Sequence, residues 1–342
     1  MLIIKQDYRL GDIPKPYVAD NEKDINMQIP DEIRKCVVFL GHSKEDKTEI
    51  VLKGTGFLID LESPDRTRHF IYLVTARHII ANITERKLAV DNNIWVRVNK
   101  KNEGFDFIPI PISAFIPHPD SVDIMILPFV LDMSVYDYLT LPHTMLLNQH
   151  TIDDQNVSLG DDVFMTGLFV RHAGKEKNIP IVRAGNIAAM PEEQVYSKVF
   201  GNMDAYLIEL RSLGGLSGSP VFLHLSGNRV MKDGGNVTRV GHRGFYLLGL
   251  LHGHWDLDSA IQDVITEDYQ INDREKINTG IGIAIPAIKI LETLNQPIVA
   301  QQREQIMQDI RIKNSPTEDT SELPPEFERL IDKAIEYSPK ED

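Results

Sequence analysis

Residues 213–220 read L-G-G-L-S-G-S-P and are followed directly by the apolar run V-F-L. The stretch therefore sets Ser217 among three glycines, between two segments typical of β-strands. Four interpretations are open at the outset: a flexible linker, a phosphate-binding loop, a tight hairpin, or a loop that presents Ser217 to a substrate. Each of them predicts different neighbours, so the rest of the chain decides among them.

The residues around the glycines favour the last interpretation. A flexible linker is not expected between two strand-like runs. A phosphate-binding loop of the P-loop type requires a Lys-Ser/Thr pair and a following helix, and neither is present here. A hairpin explains the first two glycines but gives no role to Gly218 or Pro220. In a presenting loop, Gly215 adopts a backbone conformation closed to other residues, so that its N–H and that of Ser217 point at one spot.

Composition narrows the functional class. The chain has 342 residues, of which 42% are hydrophobic and 25% charged, as in a globular protein with a real core. Its net charge of −14 argues against a nucleic-acid surface and against an anionic membrane surface. Cys36 is the only cysteine, so no intrachain disulfide can form, which favours a reducing compartment.

The sequence also indicates where the protein resides. The N-terminus M-L-I-I-K-Q-D-Y-R-L lacks the apolar segment of a signal peptide. No apolar run approaches the length of about 18 residues that a membrane span requires. We therefore expect a cytoplasmic protein that binds neither nucleic acid nor membrane.

The hydrophobic pattern predicts an all-β body followed by a helical, acidic end. Between about 34 and 290, short apolar runs such as H-F-I-Y-L-V-T at 69–75 alternate with turn residues, as in a sandwich or barrel. P-A-I-K-I-L-E-T-L at 286–294 has the spacing of a helix. We expect four regions: an N-terminal arm (1–33), a first barrel (34–150), a second barrel with its closing helix (151–298), and a polar linker with a C-terminal helix at about 324–335 (299–342).

A serine becomes a useful nucleophile only when a base and an orienting carboxylate stand beside it. His78 follows the strand-like run Y-L-V-T, which is predicted to deliver it into a turn. Asp123 stands at the head of the apolar run D-I-M-I-L. Asp120 is an alternative orienting residue, but Asp123 adjoins the strand directly. The three residues together predict nucleophilic catalysis at Ser217.

These motifs resemble those of trypsin-like (chymotrypsin-fold) serine peptidases of the bacterial type. T-A-R-H resembles the family's histidine block, D-I-M-I-L its aspartate block, and G-L-S-G-S-P its serine block. Supporting matches are G-T-G-F-L-I-D, R-A-G-N-I at 183–187 and G-I-G-I-A-I-P, so the likeness spans about residues 34–292. It implies two antiparallel six-stranded β-barrels with the active site between them. His78 would be the general base, Asp123 its orienter and Ser217 the nucleophile, and the Gly215 and Ser217 N–H groups would form the oxyanion hole.

The chain departs from the family pattern in two places. Leu216 stands where the digestive members have an aspartate before the serine, so an ion pair with a freshly cut N-terminus is not expected. The second departure is a long insertion between His252 and Gly280, with seven acidic residues between 256 and 275. Its carboxylates are either a solvated loop or a surface that attracts basic peptides.

Substrate preference stays open at this stage. L-G-L-L-H-G-H at 248–254 resembles the family's substrate-binding strand, which makes His252 and Gly253 candidate substrate-binding residues. His252 lies one place later than the histidine of glutamyl-specific relatives, so regular alternation turns it to the opposite face unless a bulge intervenes. Arg211, six residues before the serine, stands at the family's pocket base and would suit an acidic substrate side chain.

No metal or cofactor is expected. His242, His252 and His254 have no accompanying cysteine, and the carboxylates lack ligand spacing. Two functions of different classes remain: a serine endopeptidase acting on polypeptides, and a non-catalytic trypsin-like scaffold or peptide-binding module. In either case the C-terminal helix is a possible docking element for a protein partner. An α/β-hydrolase esterase is disfavoured, because its G-x-S-x-G elbow and alternating βαβ units are absent.

Overall fold

The computed structural model describes residues 29–44, 49–197, 199–210, 215–225, 228–230, 235–238, 244–256 and 278–314. Most of the predicted N-terminal arm, Arg211, His242, most of the acidic insertion and the predicted helix at 324–335 lie outside these ranges. The strands of the N-terminal half are β1 (Val37–Ser43), β2 (Ile50–Glu62), β3 (His69–Thr75), β4 (Asn93–Asn99), β5 (Phe105–Pro111), β6 (Ile116–Pro117), β7 (Met125–Pro128) and β8 (Leu141–Pro142).

The strands of the C-terminal half are β9 (Asp162–Gly167), β10 (Ile181–Ala189), β11 (Val195–Ser197), β12 (Gly201–Met203), β13 (Tyr206–Glu209), β14 (Pro220–Leu225), β15 (Asn228–Val230), β16 (Asn236–Thr238), β17 (Gly244–Asp256) and β18 (Asn278–Pro286). The α-helices are α1 (Arg77–Glu85), α2 (Gln149–Gln155), α3 (Ala287–Asn295) and α4 (Pro297–Asn314). The fold is thus all-β with a few helices, which confirms the predicted class.

The N-terminal half is one eight-stranded sheet. Its strand order is β5-β4-β1-β2-β3-β7-β6, and β8 pairs in parallel with β2. The long strand β2 lies at the centre, where it pairs antiparallel with β1 on one side and β3 on the other. Its middle residues are buried without interruption, which explains the continuous apolar character of F-L-I in the sequence.

This half differs from the predicted six-stranded barrel. It has eight strands rather than six, and among the described residues no strand pair joins the two ends of the sheet, β5 and β6. Strands β6 and β8 are only two residues long, and each ends in a proline, Pro117 or Pro142. Proline has no N–H to donate to a neighbouring strand, so these short strands cannot extend the hydrogen-bonded ladder.

The C-terminal half forms the closed six-stranded barrel that was predicted. Its strands pair in the ring β10-β13-β18-β17-β14-β9, and every pair is antiparallel. The largest core cluster of this half is formed by inward-facing apolar residues such as Val163, Ile208 and Leu223, none of which is exposed to solvent. Closure removes the free sheet edges and leaves the loops between strands to carry the site.

The helices correct the sequence prediction in two places. The segment after β3 is the helix α1 rather than a turn, and residues predicted from their polarity to be a linker from 299 onwards form the helix α4. Helix α3 is observed where the 286–294 pattern predicted it. The chain divides into two compact units with the boundary between Gln296 and Pro297. None of the helices in the described ranges combines the length and apolar character needed to span a membrane.

Candidate active site

Asp123 is fully buried in the loop between β6 and β7, and both of its carboxylate oxygens contact His78. Oδ1 accepts the backbone N–H of His78 at 2.7 Å. Oδ2 lies 2.6 Å from Nδ1 of the same residue. An ionised carboxylate can only accept hydrogen bonds, so Nδ1 carries the proton and Nε2 of the neutral ring is left as the basic nitrogen.

Asp123 also takes the place of a helix cap. Helix α1 begins at Arg77, and its N-cap residue Ala76 has no side chain that could accept the first free N–H groups. Asp123 instead accepts the N–H of His78, in the first turn of the helix. Its negative charge also stands at the positive end of the helix dipole. A long-range carboxylate thus fixes both the backbone and the ring of His78.

The surroundings of Asp123 keep it ionised. Burial acts to raise the pKa of its carboxyl group. The opposing effects are the charge of His78, hydrogen bonds from His252 and His78, and the charge of His252, and together they hold the pKa below its ordinary value.

We expect this ionisation to contribute to acid stability. Because the pKa of Asp123 is lower in the folded chain than in the unfolded one, the stabilisation is complete above the unfolded value of about 4 and is lost as the pH falls through the folded value. In urea unfolding, the difference in free energy between the native protein and Asp123→Asn should therefore shrink on acidification below about pH 4. A constant difference across that range would contradict the assignment.

The loop that carries Ser217 is held by backbone contacts with both halves of the molecule. The N–H of Thr55 on β2 donates to the carbonyl oxygen of Ser217 at 3.0 Å. The hydroxyl of Thr55 donates to the carbonyl oxygen of Gly215 at 2.9 Å and accepts the N–H of Leu168 at 2.9 Å. On the barrel side, the N–H of Gly218 donates to the carbonyl oxygen of Leu251 at 2.8 Å. The loop is therefore fixed in position by β2 and β17 together.

The same contacts bring this loop beside His78. Ile79, the residue after His78, packs where Gly54 and Gly218 lack side chains. A β-carbon on Gly218 would lie 3.1 Å from Cδ1 of Ile79 and 2.9 Å from Oγ1 of Thr75. The serine loop and the start of α1 are thus in direct contact. None of the hydrogen bonds among the described residues joins the Ser217 hydroxyl to the imidazole of His78 itself.

Two glycines of the loop have left-handed backbones, Gly215 with φ +97° and Gly218 with φ +81°. Such angles are strained for any residue with a side chain. Within the described part of the chain, the N–H groups of Gly215 and Ser217 have no acceptor. The oxyanion hole formed by these two N–H groups stays a prediction of the sequence.

The role of Gly218 can be tested with a matched control. Gly218→Ala is expected to lower the free energy of unfolding by at least about 2 kcal/mol, for two reasons. The new β-carbon would clash with the carbonyl oxygen of Thr55, and the left-handed backbone angle φ is unfavourable for alanine. Gly160 has the same φ of +81°, but a β-carbon added there would meet no atom within 4 Å. Gly160→Ala should therefore show only the backbone strain, about 1 kcal/mol. Equal costs in urea unfolding would mean that the loop does not pack closely on β2.

Two of the predicted substrate-binding residues, His252 and Gly253, have different surroundings in the structure. Nδ1 of His252 lies 2.5 Å from Oδ2 of Asp123, the same oxygen that contacts His78. The pairing of β17 with β18 shifts register between Leu251 and Gly253, so His252 is the extra residue of a bulge and the regular alternation assumed from the sequence does not apply. Gly253 has open space over its α-carbon.

The structure also distinguishes the two candidate orienting residues. Asp120 is exposed, and its backbone N–H donates to Nδ1 of His118. Asp123, rather than Asp120, contacts His78. This is the arrangement that the direct attachment of Asp123 to the strand predicts.

Ligand atoms of His78, Asp123 and His252 lie within 4.8 Å of one another, a grouping that could hold a metal ion. The two contacts with Oδ2 measure 2.6 and 2.5 Å. Ligand atoms around a tetrahedral zinc ion are about 3.3 Å apart, given bonds of about 2.0 Å. The observed spacing is that of hydrogen bonds, and a metal would have to separate all three groups.

Comparisons with known proteins find distant similarity only. No family model and no curated protein matches the chain. Among solved structures, the chain is similar to the MamO protease domain from Magnetospirillum magneticum in its apo form (14% identity, TM-score 0.45, covering 78% of this chain and 99% of that one). It is also similar to Deg5 (13% identity, TM-score 0.42, 76% and 87% covered) and to the active form of the Rv3671c protease from M. tuberculosis (17% identity, TM-score 0.38, 82% and 92% covered). At this level of similarity, the chemistry of the site depends on the contacts of its own residues.

Proposed function

We propose that this chain is a serine endopeptidase that cleaves polypeptides through an acyl-enzyme formed at Ser217. His78 is the general base and Asp123 holds it in the reactive tautomer. The observation that carries the proposal is the pair of contacts between buried Asp123 and His78, through the backbone N–H and through Nδ1. A carboxylate whose only role was to cap the helix would contact the backbone N–H and would not need to contact the ring as well.

In the proposed reaction, His78 Nε2 takes the hydroxyl proton as Ser217 Oγ forms a bond to the substrate carbonyl carbon. The negative charge that develops on the carbonyl oxygen is bound by the N–H groups of Gly215 and Ser217. The carbon–nitrogen bond then breaks, and the proton on Nε2 passes to the leaving amine. Water, deprotonated by His78, attacks the remaining ester and regenerates the serine. Asp123 stays ionised throughout and stabilises the imidazolium.

An extended substrate can bind along β17. Strand β14 pairs with β17 only from Gly244 to Leu250, so in the described residues the edge of β17 at Gly253 faces no other strand on that side. A peptide added there would form main-chain hydrogen bonds next to the serine loop. Gly253 is accordingly the proposed substrate-binding position. Arg211 remains a prediction for the substrate side chain, since it lies outside the described residues.

The proposal is tested by digesting a proteome-derived peptide library and identifying the new termini by mass spectrometry. We expect internal cleavages that disappear when the protein is first treated with a fluorophosphonate, which modifies activated serines. The aligned cleavage sites also give the preferred substrate residue. A library that stays intact under all conditions, while its peptides bind the protein, would support the scaffold alternative instead.

A further inference from the structure

His252, at the bulge of β17, contacts the same oxygen of the buried Asp123 carboxylate as His78 does. We propose that His252 is a positioning residue for the reaction, which fixes Asp123 through a second imidazole N–H. The inference rests on the proposed function and assigns His252 a role other than substrate binding.

The first support is the number of donors on one carboxylate. Asp123 accepts three N–H groups: the backbone and Nδ1 of His78, and Nδ1 of His252. The Asp123 side chain is completely buried, so its oxygens are satisfied by these N–H groups and not by solvent. Without His252, Oδ2 would keep only the bond to His78, and the carboxylate would be held less tightly. The angle at which it holds the base would then vary.

The second support is that His252 is itself held from its far side by the β11–β12 hairpin. Its Nε2 lies 3.5 Å from the hydroxyl of Ser197, which can donate to it while Nδ1 donates to Asp123. The ring of Phe200 packs edge-on against His252 with centroids 5.8 Å apart. The side chain is only 15% exposed. These contacts suit a neutral ring whose tautomer is fixed at both nitrogens.

His252 also packs directly against the ring of His78. The two rings pack edge to face with centroids 5.4 Å apart. A His252 side chain that is held at Asp123 therefore restricts the orientation of the His78 ring as well as that of the carboxylate.

Two substitutions separate the hydrogen bond from the rest of the side chain. His252→Asn keeps a donor at the position of Nδ1, because the amide nitrogen occupies nearly the same place. His252→Ala removes the donor. We expect His252→Ala to lower kcat about 10- to 100-fold with little change in KM. We expect His252→Asn to keep kcat within about threefold of the native value.

His150→Ala, at an exposed position of α2, is the control and should match the native protein in kcat and KM. Equal losses of kcat in His252→Asn and His252→Ala would indicate a merely structural role and overturn the inference. If His252→Ala does not fold, His252→Asn decides alone, and a loss of kcat of more than about tenfold in that variant would overturn the inference.

The outcome is distinguishable from failure of the proposed function. Fluorophosphonate modification of Ser217 reports on the serine chemistry independently of His252. Full kcat in both His252 variants, with Ser217→Ala inactive, would overturn this inference and leave the peptidase intact. Unimpaired hydrolysis by Ser217→Ala would overturn the proposed function itself.

Discussion

Replacing Ser217 with alanine is expected to lower kcat for peptide hydrolysis by about 10⁴- to 10⁶-fold. The substitution removes the only atom that forms the covalent intermediate, while the N–H donors of the loop stay in place. Residual hydrolysis, if any, would come from those donors acting on a water molecule. The measurement is the initial rate on a peptide found in the library digest, with KM determined for both proteins by the same assay.

Ser219→Ala is the matched control, two residues along the same loop. Its hydroxyl is fully buried and has no hydrogen-bond partner among the described residues, whereas its backbone N–H and carbonyl bind Leu216 and Leu251. Removing an unpaired buried hydroxyl should leave both stability and kcat near the native values. Loss of activity in both variants would point to damage of the loop, and activity retained in Ser217→Ala would contradict the assigned nucleophile.

Asp123→Asn is expected to lower kcat by about 10⁴-fold with a much smaller effect on stability. The amide can offer only one oxygen where three N–H groups need acceptors. Placed toward the rings, its NH₂ group would force the proton of His78 from Nδ1 to Nε2, which removes the lone pair that receives the proton of Ser217. If the NH₂ group were instead turned toward the backbone of His78, it would face the backbone N–H, which is also a donor.

Asp120→Asn is the control for this prediction, because Asp120 is the other carboxylate that precedes the same strand. Its side chain is exposed and away from His78, so kcat should be unchanged. If Asp120→Asn were the impaired variant and Asp123→Asn the active one, the orienting residue would have been misassigned. Thermal melts of both variants verify that the comparison is between folded proteins.

The sequence predicts the candidate residues of this site, but it does not predict all of the contacts that hold them in place. His78, Asp123 and the serine loop stand in motifs whose local context is enough to recognise them. The dual contact of Asp123 with His78 was predictable only in part, since the backbone contact depends on α1 beginning where Ala76 supplies no cap. That helix could have been recognised from the apolar residues at 79, 80 and 83, which share one helical face.

Other features could not be predicted from any single segment of the sequence. The bulge at His252 arises from how β17 registers against β18, and register is a property of two strands rather than one. A one-residue shift changes where a side chain points, so the contact between His252 and Asp123 could not be predicted from one strand alone. The open N-terminal sheet depends in the same way on two-residue, proline-ended strands. The segment that forms α4 contains good helix formers, but it is polar, and its polarity led to the prediction of a linker.

The most direct test is mass spectrometry of the native protein after treatment with a fluorophosphonate. We expect a single adduct of one probe mass, mapped by digestion to the peptide that contains Ser217. Native protein that gains no adduct, or gains it on another serine, would contradict the claim that His78 and Asp123 activate Ser217 as a nucleophile.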